Sequence, residues 1–143
     1  MASTTAIQKI FAQVHSASGL AFPNTVSALL TLGVTRYHID YTAGTATTYK
    51  AKTSGESQEV EIEQVNIPSP AMSPRTSWSK DGVVKAIRRV QAGETKYAAF
   101  AQECADSGVT GYLAFLSGKN VLYYGSEGDV HVEWFPGAGP KVD

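Results

Sequence analysis

One order of predicted elements, helix–helix–strand–strand–strand, occurs twice along this chain, and the two copies correspond at a constant separation of 75 residues. The segment Gly33-Val34-Thr35-Arg36-Tyr37 matches Gly108-Val109-Thr110-Gly111-Tyr112, and Tyr49 matches Tyr124 without a gap. Two origins are open: common descent of the halves, or convergence of a helix-ending glycine followed by a strand. Either origin predicts an α+β fold with up to six antiparallel strands and helices packed on one side, as one sheet or as two sheets about a pseudo-twofold axis.

Four helices are predicted from apolar residues at helical spacing. Thr5 and Gln8 have the spacing of a capping box, Pro23 suits a first turn, Gly33 suits a C-terminal cap, and Ser79 suits an N-cap. The predicted buried stripes are Ala6, Ile7, Ile10, Phe11 and Val14; Val26, Leu29 and Leu30; Val83, Ala86, Ile87 and Val90; and Tyr97, Phe100, Ala101, Cys104 and Ala105.

Six strands are predicted from segments rich in Val, Ile, Thr and Tyr. In the third strand, Val60 and Ile62 alternate with Glu59, Glu61 and Glu63, which predicts an edge strand whose glutamates guard the exposed face. The predicted strands cover residues 34–41, 46–52, 59–65, 109–116, 120–124 and 129–135.

Length and composition predict a single domain over residues 1–143. Its predicted parts are halves at about 5–65 and 79–136, a Pro/Ser-rich connection at 66–78 and a flexible tail at 137–143. Hydrophobic residues make up 43% and charged residues 17%, which is a globular balance. The net charge of −1 provides no global field to recruit nucleic acid or anionic lipid.

The cellular location is inferred from what the chain lacks. The N-terminal segment does not have the pattern of a signal peptide, and no stretch approaches the roughly 18 to 20 apolar residues of a membrane span. Cys104 is the only cysteine, which excludes an intrachain disulfide and a cysteine-based zinc site. We therefore expect a cytoplasmic protein without a membrane partner.

Two stretches of the chain carry a set of packing and turn motifs. Residues 22–37 read FPNTVSALLTLGVTRY, and residues 96–128 read KYAAFAQECADSGVTGYLAFLSGKNVLYYGSEG. The motifs are Phe22-Pro23, the LGVTRY of residues 32–37, Gln91-Ala92-Gly93, Tyr97 with Phe100, Cys104-Ala105, Gly108-Val109 and Tyr123-Tyr124. In these motifs the chain resembles the YdfO-like family, which is domain-of-unknown-function family 1398.

The resemblance covers nearly the whole chain and implies an α+β fold with no established activity. Many members of the family carry the label "phage envelope protein", which looks like an inherited name. The chain departs from the family pattern in the acidic strand and proline loop between residues 55 and 77, and in the Gly/Pro-rich tail. The resemblance therefore implies the fold, but it does not predict the structure of the middle connection.

The histidines and the cysteine are candidate chemical groups. His15, His38 and His131 lie in different predicted elements without metal-ligand spacing, which favours surface or half-buried histidines over a metal site. Cys104 could act as a nucleophile only if His38 or His131 approached it. Its place in the apolar stripe of the fourth helix favours a small buried side chain instead. No metal and no cofactor are predicted.

The best polar cluster lies on the first strand, where Arg36, His38 and Asp40 share one face. Arg36 could bind a carboxylate or phosphate through its fork of donors, and Asp40 could orient His38. The alternative is a solvated face with local ion pairing. The matching residues of the second half are Gly111, Leu113 and Phe115, so the polar face exists in one half only. That difference points either to function or to deeper burial of the second strand.

The strand aromatics complete the predicted ligand site with Tyr37, Tyr49, Tyr112 and Tyr124. Tyrosines with one wet end line cavities and interfaces, and they also form the rim of ordinary cores. The full set of strand aromatics is Tyr37, Tyr41, Tyr49, Tyr112, Tyr123, Tyr124 and Trp134. The third helix is basic through Lys80, Lys85, Arg88 and Arg89, which fits either a nucleic-acid contact or a solvated helix face.

Three functional hypotheses follow. The first is a non-enzymatic module that binds a small molecule or a protein partner around Arg36, His38 and the strand tyrosines. The second is a small enzyme that uses His38 with Arg36 or Cys104. The third is a structural or self-assembling protein, for which exposed strand edges would support a homodimer.

Overall fold

The computed structural model describes residues 4–54, 57–73 and 76–140 of the chain. All six strands form one antiparallel sheet in the order β3-β2-β1-β4-β5-β6. The elements in chain order are α1 Ala6–Val14, α2 Phe22–Thr31, β1 Val34–Asp40, β2 Thr45–Ser54, β3 Ser57–Asn66, α3 Lys80–Gln91, α4 Tyr97–Asp106, β4 Val109–Phe115, β5 Asn120–Gly125 and β6 Val130–Trp134. The predicted α+β class is confirmed, and the alternative of two separate sheets is wrong.

Local sequence signals set the ends of the helices. Thr5 and Gln8 form the predicted capping box at α1, and the Ser79 hydroxyl accepts the backbone N–H of Gly82 at α3. Gly33 and Gly108 follow α2 and α4 with φ of 88° and 95°, a left-handed conformation that glycine adopts without strain. Each glycine turns the chain directly from a helix into a strand.

The centre of the sheet is the antiparallel pairing of β1 with β4. His38 lies opposite Leu113, its counterpart 75 residues later, and Arg36 lies opposite Phe115. The register is irregular at Thr35 in β1 and at Thr110 in β4. At these two bulges each threonine hydroxyl donates a 3.4 Å hydrogen bond, to the carbonyl of Tyr49 and of Tyr124 respectively. The backbone bulges of the two halves are therefore 75 residues apart, which is the same separation as that of the matching sequence segments.

The two faces of the sheet differ. The covered face carries the helices, and its strand residues pack with them in the core; Phe11 of α1 meets Tyr37 edge-on at 5.6 Å, and Phe100 of α4 meets Tyr123 at 6.3 Å. On the opposite side, none of the described helices packs. This open face consists of three rows in strand order: Asn66, Thr45, Asp40, Gly111, Tyr124 and Val130; Gln64, Thr47, His38, Leu113, Leu122 and Val132; and Ile62, Tyr49, Arg36, Phe115, Asn120 and Trp134.

Three predictions of burial are wrong. Ala6, which was predicted in the buried stripe of α1, is exposed. Leu30 is 44% exposed, and Thr25 and Leu29 are the buried residues of α2, because that helix turns a different side toward the sheet. In β3, which is an edge strand as predicted, Val60 and Ile62 point to the open face and are 61% and 62% exposed. The glutamates of β3 point to the side of the helices instead. Alternation alone predicts that two faces exist, and it cannot say which one the helices cover.

The connection and the tail are only partly described. Residues 66–73 and 76–79 contain no helix or regular strand beyond Asn66, in agreement with the predicted connecting loop. Residues 74–75 of that loop and residues 141–143 of the predicted tail lie outside the described part of the chain.

Substitution of the two helix-ending glycines tests the fold. We expect Gly33→Ala to lower the free energy of unfolding by about 1–2 kcal/mol, the cost of a left-handed conformation for a residue with a Cβ. Gly108→Ala should cost more, because its Cβ would lie 2.8 Å from the Ser77 carbonyl oxygen, whereas that of Gly33 would meet only the flexible Lys50 side chain at 3.4 Å. Urea denaturation measures both values, and equal losses would contradict this account of the Gly108 turn.

Candidate functional site

The sheet divides the residues predicted from the sequence to form one site. Arg36, His38, Asp40, Tyr49 and Tyr124 lie on the open face, where each is half-buried. Tyr37 and Tyr112 lie on the covered face and are buried. Because the backbone of the sheet separates them, the seven residues cannot contact one ligand together.

The open-face residues contact each other. The guanidinium carbon of Arg36 lies 3.8 Å from the centroid of the Tyr49 ring, and His38 Nε2 lies 2.6 Å from the Tyr124 hydroxyl. Burial, with a contribution from the charge of Asp40, raises the pKa of Tyr124 to about 12, so its hydroxyl stays protonated. Asp40 Oδ1 accepts the backbone N–H groups of Thr42 and Ala43 at 3.0 and 3.1 Å. Asp40 thus fixes the β1–β2 turn, and it is Tyr124 that holds His38.

Gly111 explains how Tyr124 reaches His38. A Cβ on Gly111 would lie 2.3 Å from the Tyr124 hydroxyl oxygen and 2.5 Å from the Ile39 carbonyl oxygen. The tyrosine therefore crosses β4 at the one position that has no side chain. In the first half the matching pair is Tyr49 beside Arg36, where the long side chain stacks on the ring instead. The difference between the halves at this position has a packing cause.

A cavity of about 450 Å³ lies on the covered face, between the sheet and the helices. Its walls come from the end of α1, the start of α2, the α3–α4 connection and the strands β1, β4, β5 and β6. Buried rings form its floor, and exposed residues such as Phe22 and Lys96 form its rim. The buried floor consists of Phe11, Tyr37, Ile87, Phe100, Tyr112, Val121 and Tyr123. The volume is in the range of sites that hold small molecules.

Tyrosine hydroxyls are the main polar groups at the floor of the cavity. The Tyr97 hydroxyl lies 2.9 Å from that of Tyr112 and 3.5 Å from that of Tyr41. Burial raises the pKa of Tyr97 to about 12, and it raises the pKa of Tyr37, Tyr41 and Tyr112 as well. All of these phenols are therefore protonated at neutral pH.

His15 lines the same cavity with a nitrogen that lacks a partner. Its Nδ1 lies 2.8 Å from the Phe11 carbonyl oxygen, which can only accept, so Nδ1 carries the proton. Burial lowers the pKa of His15, although the bond to Phe11 acts in the opposite direction. The neutral ring therefore presents a lone pair on Nε2, which is buried and unbonded within the described residues. The Thr95 hydroxyl, which also lines the cavity, is buried without a partner in the same way.

Ion pairs flank the cavity. Arg88 of α3 contacts Glu133 of β6 at 2.9 Å, and His131 lies 3.2 Å from the same carboxylate. Burial alone would raise the pKa of Glu133, but hydrogen bonds from Arg88 and His131 outweigh it and hold this pKa below its usual value. Arg89 pairs with Glu103 and with Glu94. Two of the four cations of the basic third helix are thus engaged in ion pairs.

The remaining candidate groups carry less chemistry. Cys104 is 0% exposed, and burial raises the pKa of its thiol, so it is the small buried side chain predicted from the sequence and cannot easily become a thiolate. Within residues 4–54, 57–73 and 76–140, no three His, Cys, Asp or Glu side chains cluster as metal ligands would. None of the helices in the described part of the chain has both the length and the apolarity of a membrane span.

Sequence reasoning did not find the cavity. His15, Thr95 and Tyr97 are far apart in the sequence, and their convergence depends on how the helix pairs sit on the sheet. One signal was available, since Tyr37, Ile39 and Tyr41 recur at every second position and share one face of the predicted first strand. That signal predicts buried phenols, but it does not predict an empty volume beside them.

Comparison with known families agrees with this architecture. The antiparallel sheet with helices on one side defines an α+β protein. The family described as "Protein of unknown function (DUF1398)" matches residues 8–133, from within α1 to within β6. The chain therefore belongs to the DUF1398 family, and the resemblance noted in its sequence is confirmed. None of the curated proteins matches the chain.

The Gly111→Ala substitution tests the packing of Tyr124. We expect it to lower the free energy of unfolding by about 1–3 kcal/mol, because the added methyl group meets both the tyrosine hydroxyl and a backbone oxygen. Tyr124→Phe removes only the hydrogen bond to His38 and should cost about 0.5–1.5 kcal/mol. Chemical denaturation compares the two variants. A Gly111→Ala loss no larger than that of Tyr124→Phe would mean that the strand accommodates a side chain at this position.

The pH dependence of stability tests the state of His15. Its pKa in the folded protein lies below the ordinary value of 6.5, so its stabilising contribution is complete above pH 6.5 and is lost as the pH falls through the folded pKa. We expect wild type to lose up to about 1.4 kcal/mol per pH unit more than His15→Phe in acid. Urea denaturation between neutral and mildly acidic pH measures the difference. Parallel curves for the two proteins would refute a buried neutral His15.

Proposed function

We propose that this chain is a non-enzymatic module that binds a small, mainly apolar molecule in the cavity between its helices and its sheet. The observation that supports this most directly is a mainly apolar cavity of about 450 Å³ whose lining includes His15, a residue with a buried and partnerless Nε2. A buried acceptor without a partner costs about 1–3 kcal/mol. A ligand that donates a hydrogen bond to this nitrogen recovers that cost, whereas an empty site does not.

The chemistry of the walls selects a class of ligand. Aromatic rings from Phe11, Tyr37 and Phe100 favour a flat apolar body. His15 Nε2 requires a hydrogen-bond donor on the ligand, which a hydroxyl group provides. Of the charged residues that line the cavity, Glu133 is paired with Arg88 and His131, and Lys96 lies exposed at the rim. A neutral molecule is therefore preferred over an ion, which would lose its hydration without compensation.

This proposed binding site differs from the one predicted from the sequence. Tyr37 and Tyr112 stay in it, and Arg36, His38, Asp40, Tyr49 and Tyr124 belong to the other side of the sheet. Residues 1–143 are proposed to act as one domain, because the helices of both halves share one hydrophobic cluster. The cytoplasm is proposed as its location. The label "phage envelope protein" does not support the proposal of a ligand in the cavity. The enzyme hypothesis loses its nucleophile, since the Cys104 thiol is held protonated by burial.

A neutral fluorescent probe tests the cavity. N-phenyl-1-naphthylamine has two aromatic groups and one N–H donor, and its fluorescence rises in apolar surroundings. We expect saturable binding to wild type at a single site. Val90→Phe fills part of the cavity from α3 and should weaken binding at least about tenfold, equivalent to about 1.4 kcal/mol. Fluorescence titration measures both affinities.

Val84→Phe is the matched control, because Val84 is half-buried on the same helix and does not line the cavity. It should bind the probe as wild type does. His15→Phe should reduce displacement of the probe by 1-naphthol, which can donate to Nε2, and leave displacement by 1-methylnaphthalene unchanged. No binding to wild type, or equal binding by the Val90→Phe variant, would overturn the proposal.

A further inference from the structure

The open face of the sheet carries large apolar side chains that the described residues cover only in part, and Gly139 of the C-terminal segment packs against the Trp134 ring. The edge strands contribute Val60, Ile62, Val130, Val132 and Trp134, which are between 40% and 62% exposed. Between them, Leu113, Phe115 and Leu122 are only half-buried. The residues of β4, β5 and β6 form one apolar patch, which Arg36, His38 and Thr47 separate from Val60 and Ile62 of β3. An exposed apolar patch of this kind is uncommon on the surface of a monomer.

The arrangement of charge in the edge hairpin is the reverse of what an exposed sheet face requires. On β2 and β3, Lys50, Glu61 and Glu63 project to the side of the helices, whereas Val60 and Ile62 project to the open face. A one-sided sheet whose open face stays in water carries its charges on that face. The apolar residues of β3 therefore lie where a second surface would cover them.

We propose that the open face packs against the open face of a second copy of this chain, which forms a homodimer of two stacked sheets. Six strands about 4.8 Å apart and three rows about 6.8 Å apart give a projected area of about 580 Å². Side chains that protrude make the accessible area larger than the projection. The face therefore approaches the roughly 800 Å² per partner that stable complexes of standard size bury.

Charge also favours a like partner. Apart from His38, the three rows contain one cation, Arg36, and one carboxylate, Asp40. Arg36 stacks on Tyr49, and Asp40 accepts two backbone N–H groups, so both groups already have contacts within the chain. A face without net charge does not attract nucleic acid or anionic lipid. A second face of the same kind leaves few charges to be desolvated on association.

The order of the strands fits such a dimer. Stacked sheets lie about 10 Å apart with strands aligned within about 30°. A twofold axis along the strand direction places β3 of one copy over β6 of the other. Ile62 then lies over Trp134 of the second copy, with Val60 one row further out, and Val132 lies over Gln64, so one arrangement covers both exposed edges at once.

Sedimentation of the full chain tests the dimer. We expect wild type at micromolar concentration to sediment with twice the chain mass of 15.2 kDa. Val132→Glu and Ile62→Glu should each weaken association about 100-fold or more, because a charge would be buried without a partner in the interface. Leu30→Glu is the matched control, since Leu30 is 44% exposed on α2, away from the sheet face.

The outcomes are distinguishable from those of the cavity proposal. A cooperative urea-unfolding transition of Val132→Glu shows that the variant is folded, whatever the probe titration gives, and its monomeric state then supports the interface. A wild type that remains monomeric, or a Leu30→Glu variant that dissociates as fully as Val132→Glu, overturns the dimer. A monomeric wild type that floats with phosphatidylcholine vesicles assigns the face to a lipid surface and overturns it as well.

Discussion

The antiparallel pairing of β1 with β4 is the contact on which the rest of the structure depends. It joins the two halves into one sheet, and it fixes the register in which every outer strand is added. Because side chains alternate strictly along a strand, a slip of one residue at this pairing would turn over the faces of one half relative to the other. Tyr112 would then lie on the side of His38, and Leu113 on the side of Tyr37. The cavity and the apolar open face both follow from this single register.

The two faces are stabilised by different physics. On the covered face, burial of aromatic and aliphatic side chains against four helices provides most of the driving force, and the phenol hydroxyls satisfy one another within it. On the open face, tyrosines lie across neighbouring strands and contact Arg36 and His38. The covered face contains a cavity, and the open face exposes apolar side chains.

Much of the fold could be predicted from the sequence because its signals are local. Capping residues, positive-φ glycines and apolar periodicity determine where α1, α3 and the strands begin and end. The site could not be predicted, since it depends on long-range placement. Arg36, His38 and Asp40 share a face as predicted, but their partners, Tyr49, Tyr124 and the β1–β2 turn, depend on pairing between strands. Alternation in β3 correctly predicts two faces, but the face predicted to be exposed is the one on the side of the helices. A pattern of period two does not say which face the helices cover and which face meets solvent.

His38 lies where the two halves meet, opposite its own counterpart Leu113. Its imidazole contacts Tyr124 of the second half, and not Tyr49, which is the counterpart of that tyrosine in its own half. Arg36 stacks on Tyr49, and Gly111 leaves room for the Tyr124 hydroxyl beside His38. A glycine in one half and an arginine in the other thus give the two corresponding tyrosines different contacts. The two halves are therefore not interchangeable, although their backbones still match.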